Sequence, residues 1–271
     1  MYYKYQIETR DILKLKICIK KAVDMQGNPY CLLSKAATVG RLLPNTEQLK
    51  EVRKRVGYFI SESCTYRCDD MFYKYIEIIP YKGETLESLL LDEPEESEKE
   101  WAGELIRACL EQVAEKGIVH TDLKPANICV LDDVITIIDF DNAFIPELEH
   151  VSDGLGTPGY VAPELFKNIQ DAAQQCEIYS RGDEHWITAL KSDFRHLFTT
   201  ATDIFALGQI LLHDLDLEED HPYYPLANRM SSIDPRARPN WSDIREIYNF
   251  STNPIHPQDT DIIKQNRMTS A

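Results

Sequence analysis

The sequence predicts an α+β fold, and three observations carry that prediction. Alternating apolar and polar runs crowd the first eighty residues, at 2–8, 12–23, 30–36, 57–62 and 72–80. Helical periodicity takes over afterwards, most clearly across 98–117, where Leu105, Ile106, Cys109, Leu110 and Val113 fall on one face. A length of 271 residues suffices to bury a sizeable core and form two small lobes, with little room for a further regulatory domain.

Taken in order, residues 2–8 and 12–23 read as two strands, and Asp24-Met25-Gln26-Gly27-Asn28-Pro29 supplies turn formers before a third strand at 30–36. Pro44-Asn45 precedes a short amphipathic helix over residues 46–56, with Leu49, Val52 and Val56 at helical spacing and Asn45 or Thr46 as N-cap. Two strand-like runs, 57–62 and 72–80, complete the strand-rich part, and the 98–117 helix follows. Ile128-Cys129-Val130-Leu131 and Ile135-Thr136-Ile137-Ile138, split by Asp132-Asp133, form a hairpin. Residues 251–271 are polar and aperiodic, as a flexible tail would be.

The chemistry concentrates in Gly117-Ile118-Val119-His120-Thr121-Asp122-Leu123-Lys124-Pro125-Ala126-Asn127, followed twelve residues later by Asp139-Phe140-Asp141. Phosphoryl transfer demands alignment of an attacking oxygen and neutralisation of charge on the phosphoryl group, with little covalent work from the protein. Asp122 can accept a hydroxyl proton, and Lys124, two positions on along an extended loop, can reach a γ-phosphate. Asn127 and Asp139 offer hard oxygen ligands suited to Mg²⁺, and the hairpin between them presents both at one edge.

This H-x-D-x-K-x-x-N pattern coupled to Asp-Phe resembles the eukaryotic-like protein kinase family, and the resemblance continues downstream. Gly156-Thr157-Pro158-Gly159-Tyr160-Val161-Ala162-Pro163-Glu164 is similar to the end of that family's activation segment, with its A-P-E motif. Asp203-Ile204-Phe205-Ala206-Leu207-Gly208 resembles the buried central helix whose aspartate bonds the catalytic loop, and Arg236-Ala237-Arg238-Pro239 the late R-P motif, making Arg238 the expected partner of Glu164. The resemblance implies a bilobal kinase-like fold: a small β-rich N-lobe over 1–80, a larger helical C-lobe over 81–250 with an insertion at about 165–200, and the tail. It implies ATP and Mg²⁺ as cofactors, with Mn²⁺ a substitute. Leu32-Leu33-Ser34-Lys35 is similar to the V-A-I-K motif, so Lys35 would hold the α- and β-phosphates. Of Glu47 and Glu51, the resemblance favours Glu51 to grip that lysine. Lys82-Gly83-Glu84-Thr85-Leu86 matches the exit from the hinge, which places Ile78 as guard of the adenine pocket and Ile79 and Tyr81 at the adenine edge. Lys124 with Thr157 is the pairing of Ser/Thr-directed members, so the expected activity is a serine/threonine-protein kinase with Asp122, Lys124 and Thr157 as catalytic residues.

The departures are equally specific. Residues 1–23 contain no glycine, and Thr9-Arg10-Asp11 stands where a glycine-rich loop normally covers the phosphates. Thr121 replaces the arginine of H-R-D, removing the acceptor for an activation-loop phosphate. Asp141 replaces the glycine of D-F-G. From Glu164 to Asp203 there are 39 positions, long for the family, so 165–200 is read as a mainly helical insertion; from Asp203 to Arg238 there are only 35.

A net charge of −16 argues against a nucleic-acid partner, and no apolar run reaches membrane-spanning length. The seven cysteines favour neither a disulfide framework nor a zinc site; Cys64 and Cys68 form half of a weak metal pattern. Met1-Tyr2-Tyr3-Lys4-Tyr5 lacks the features of a secretory signal, so the expected location is the cytoplasm. The compact domain also resembles small kinases that bacterial pathogens deliver into host cytosol without a cleavable signal. For such a chain a protein substrate is joined by an activating partner packing on the small lobe. Two rival readings are a pseudokinase scaffold and a nucleotide transferase on the same fold.

Overall fold

The computed structural model describes residues 17–23, 29–36, 46–57, 66–68, 71–91, 99–148, 155–180 and 187–248. Residues 2–11, 24–28, 45, 58–62, 64 and 251–271, on which several of the expectations above fall, lie outside them.

The strand-rich part is an antiparallel sheet in the order β1-β2-β4-β3, made of β1 (Ile17–Val23), β2 (Pro29–Ala36), β3 (Tyr66–Cys68) and β4 (Met71–Pro80). Lys35 lies opposite Ile17 on one side and Tyr75 on the other, and Leu32 lies opposite Ile78. Between Lys35 and Ala36 the register slips, because β4 carries one extra residue there, a bulge that bends the strand just past the lysine. Pro80 closes β4 at its end, where a missing N–H is tolerated.

Helix α1 (Thr46–Val56) has the bounds its periodicity predicts. Val52 is fully buried against the main core and Val56 packs beside it. Arg53, Lys54 and Arg55 occupy the last turn, where cations favour the helix dipole, and Gly57, at φ +81°, ends the helix by donating its N–H to Arg53 O at 2.9 Å.

A second sheet, β5 (Glu84–Thr85), β6 (Ile128–Leu131) and β7 (Val134–Ile137), contains the predicted hairpin. Asp132 and Asp133 both take positive φ (50° and 62°), the primed-turn geometry whose twist matches a two-residue hairpin. Thr85 caps the short helix α2 (Leu86–Leu89) by accepting from Ser88 N. Immediately before β5, Gly83 has φ +97°, and a Cβ built there would lie 1.8 Å from Val130 O. Gly83→Ala should therefore lower stability by at least about 3 kcal/mol, since left-handed strain adds to loss of the β5–β6 contact. A urea titration checks this, and a midpoint equal to wild type would refute it.

The helix expected at 98–117 is α3 (Trp101–Cys109) followed by a π-helical segment, Leu110–Ala114. Its five predicted core residues are all buried. The wider turns coincide with the grip of Gln112 on β7: its amide donates to Ile135 O and accepts from Ile137 N, both at 2.9 Å, which satisfies the outer edge of the sheet. Beyond Glu164 come α4 (Ile169–Ala173), N-capped by Asn168, and α5 (Gln175–Ser180). Next is the buried α6 (Thr200–Gln209), entered through a Thr199/Thr202 capping box and continued by a π segment, Ile210–Asp214. Helices α7 (Tyr224–Met230) and α8 (Trp241–Tyr248) follow. Residues 165–200 thus hold short helices, closed at their base by Lys167 N to Ala189 O and Lys191 N to Leu165 O, around a separate apolar cluster including Phe166, Leu190, Phe194 and Phe198. Among the described residues no helix is long and apolar enough to cross a membrane.

Candidate active site

A two-residue ladder brings the site together: Val119 and Phe144 exchange backbone bonds at 2.9 and 3.0 Å, setting the loop 120–127 beside the segment after Phe140. His120 is fully buried, stacked edge-on to Phe140 with centroids 4.8 Å apart. Its Nδ1 accepts from Asp122 N at 3.3 Å, so Nε2 carries the proton and donates to Ile138 O at 3.0 Å. Burial lowers its pKa, keeping the ring neutral.

From α6, Asp203 accepts the His120 N–H at 2.6 Å and the Thr121 N–H at 2.9 Å, as the motif implied. Burial pushes its carboxyl up to about 7 against the pull of those two bonds. The grip is needed because Thr121, a β-branched residue, sits at φ 71°, a conformation costing on the order of 1–3 kcal/mol. Thr121 Oγ1 also donates to Asn142 O at 3.2 Å, so the residue standing in place of arginine ties the loop to the next segment without any phosphate.

Past this strained turn, three side chains form a closed triangle. Thr157 Oγ1 donates to Asp122 Oδ1 at 2.6 Å and accepts from Lys124 Nζ at 2.7 Å, while Lys124 Nζ lies 3.0 Å from Asp122 Oδ2. Asn127 is buried, its Nδ2 donating to Asp122 O at 2.8 Å, which leaves the amide oxygen as the end suited to a cation. Ile138 N donates to Asn127 O, so the hairpin does hold residues 127 and 138 side by side, with Asp139 next, at φ 62° and ψ 61°. Among the described residues no three His, Cys, Asp or Glu converge on a metal site. Asn127 and Asp139 are the residues that could hold a Mg²⁺ ion, whose shell is ordinarily completed by water and phosphate oxygens.

The segment carrying Thr157 is anchored at Tyr160, whose hydroxyl donates to Asp214 Oδ1 at 3.0 Å. Burial pushes the Asp214 carboxyl up to about 6, the Tyr160 bond opposing, so the folded chain holds this proton more tightly than the unfolded chain. That contribution is complete below the ordinary aspartate value and is lost as pH rises through about 6. Between about pH 4 and pH 6 the wild-type melting temperature should fall relative to Asp214→Asn; parallel curves would contradict it. Further on, Glu164 and Arg238 form the expected ion pair, at 2.7 and 2.8 Å.

The nucleotide side is described through its backbone at Lys35, Ile78 and Ile79, where the side chains lie outside the described set. Tyr81 OH donates to Glu84 Oε1 at 2.9 Å. Glu51 is about one-third exposed, its carboxylate 3.4 Å from Arg55 Nε and 3.6 Å from Lys54 Nζ. Gln48 of α1 crosses to the catalytic segment, buried and donating to Ala143 O at 3.3 Å. The sequence reading missed it, although Gln48, Val52 and Val56 form an i, i+4 row that marks the inward face. It missed the Tyr160–Asp214 bond as well, which joins positions 54 apart and leaves no local pattern in the sequence.

A sequence profile described as "Protein kinase domain" matches residues 65–248. Similar curated proteins include the probable serine/threonine-protein kinase nek3 of Dictyostelium discoideum, 31% identical over 61% of this chain and 16% of its own length. The calcium/calmodulin-dependent protein kinase type 1 of Macrobrachium nipponense is 32% identical over 57% of this chain and 42% of its own. The liver/testis phosphorylase b kinase gamma catalytic chain of Homo sapiens is 31% identical over 57% and 40%. The chain thus spans less than half the length of each of these relatives.

Proposed function

Because the chain belongs to the protein kinase domain family, we propose that it transfers the γ-phosphoryl group of ATP to a serine or threonine hydroxyl of a protein substrate. The triangle of Asp122, Lys124 and Thr157 carries the reading. In the proposed step the substrate oxygen forms a bond to the γ-phosphorus, the bond to the β-bridging oxygen breaks to release ADP, and the hydroxyl proton passes to Asp122. Lys124 holds positive charge beside that carboxylate, where charge on the γ-phosphoryl oxygens is neutralised. Thr157 fixes the rotamers of both and links them to the segment that would seat the peptide. Asn127 and Asp139 would hold Mg²⁺, which when bound neutralises phosphate charge and aligns the terminal phosphate. Lys35, near the end of β2, is assigned to the α- and β-phosphates. The backbone at Ile79 and Tyr81 is assigned to the adenine edge, and Glu51 remains the assigned partner of Lys35 only where its bond to Arg55 is released.

Incubation with γ-labelled and, separately, α-labelled ATP tests the proposal, using a degenerate peptide library with a fixed Ser, Thr or Tyr. Transfer of γ label to Ser or Thr peptides is the expected result. Transfer of α label would mean nucleotide transfer, and no transfer of either would mean a scaffold.

A further inference from the structure

We propose that Gln175, in the insertion between Glu164 and Asp203, is a positioning residue for the protein substrate, its side-chain amide holding the turn that carries Thr157. The inference rests on the phosphoryl-transfer reading above and assigns the insertion a part in it.

Residues 157–160 form a turn closed by Tyr160 N donating to Thr157 O at 3.0 Å. Pro158 stands second and Gly159 third, with φ +96°, the residues a type II turn requires at those places. The Gly159 N–H has no acceptor inside such a turn and must find one elsewhere. Gln175 Oε1 supplies it at 2.8 Å. The other end of the same amide donates to Val161 O at 3.3 Å and to Ala172 O of α4 at 3.2 Å. One planar group therefore bonds the backbone on both flanks of Tyr160 and fastens it to α4 and α5. Gln175 is 8% exposed, so water is poorly placed to replace those bonds.

The turn's first residue is Thr157, whose hydroxyl belongs to the catalytic triangle. The loop is thus fixed at its inner end by Asp122 and Lys124 and at its outer end by Gln175. The direct Asp122–Lys124 contact does not pass through the turn, and neither do the Asn127 and Asp139 positions. Loosening the outer end should therefore disturb where a peptide lies more than how nucleotide binds.

Two variants of the full chain test this. Gln175→Leu removes all three bonds at similar volume, and is expected to raise KM for the degenerate Ser/Thr peptides about tenfold, the scale of one lost buried hydrogen bond, with KM for ATP unchanged. Gln175→Glu keeps the acceptor for Gly159 N–H but sets a carboxylate against two carbonyl oxygens. Its peptide KM should be raised at pH 8 and return toward wild type as the carboxyl protonates at lower pH, a dependence a purely structural role would not produce. Amide hydrogen exchange without substrate supplies an independent readout: in Gln175→Leu, Gly159 should exchange at least about tenfold faster while His120 and Thr121 keep their protection. Unchanged protection at Gly159 overturns the clamp, and a KM for ATP rising in step with that for peptide overturns the substrate role. Absence of phosphoryl transfer by the wild type would instead overturn the function proposed above together with the substrate role, leaving the exchange result to decide the clamp.

Discussion

Asp122→Asn is expected to lower phosphoryl transfer to peptide by about 10²–10⁴-fold, the contribution of one positioned general base, while the protein stays folded. Asparagine preserves the shape of the residue and can still accept from Thr157 Oγ1, but it cannot take up a proton, and it removes the anion that Lys124 contacts at 3.0 Å. Asp122 contacts Thr157, Lys124, Asn127 and His120, all within the protein. KM for ATP should accordingly change little, and the loss should fall on kcat. Initial rates with γ-labelled ATP, read beside a melting curve for the variant, check this. A variant retaining more than about a tenth of wild-type kcat would remove Asp122 from the role of base.

Much of this site was legible because its motifs are local or have strong chemical partners. The hairpin 128–137 could be read from two β-prone runs around two turn-forming aspartates, and its register then fixes Asn127 beside Ile138. The Asp203 grip on the loop, the Lys124–Thr157 contact and the Glu164–Arg238 pair were each implied by residue type at a family position, and the structure contains all three. What could not be read depends on contacts between distant segments. Periodicity finds a helix face but not which residue on it meets a partner, so α1 had correct ends while Gln48, bonded 95 positions away to Ala143, was overlooked. Gln175 and Asp214 looked like ordinary polar residues for the same reason. The π segments at Leu110–Ala114 and Ile210–Asp214 also carry no signature of their own, because an extra residue per turn answers to packing around it.

The largest effect on stability is expected where Arg238 is removed from its partner. The five N–H donors of this guanidinium are all engaged: Nη1 and Nη2 grip Glu164 at 2.7 and 2.8 Å, and the remainder reach Ser232 O at 2.8 Å, Ala201 O at 3.0 Å and Ile233 O at 3.4 Å. Its planar face lies 4.9 Å from the Phe205 ring centre, and the side chain has no exposure. Glu164→Ala leaves that cation buried with its counter-charge gone, so a loss of about 3–5 kcal/mol is expected, a fall in Tm on the order of 10 °C for a domain of this size. Arg238→Met removes the charge as well as the donors, stranding Glu164 where its carboxylate is only 18% exposed, and a loss of similar size is expected. The double variant Glu164→Leu/Arg238→Met separates burial of an unpaired charge from the worth of the pair itself. If the first dominates, as the full engagement of the guanidinium implies, the double variant should melt well above either single one, because no charge is stranded. A double variant that melts no higher than either single one, measured by thermal unfolding at one pH and salt concentration, would show instead that the fork of bonds to Glu164 stabilises the fold on its own account.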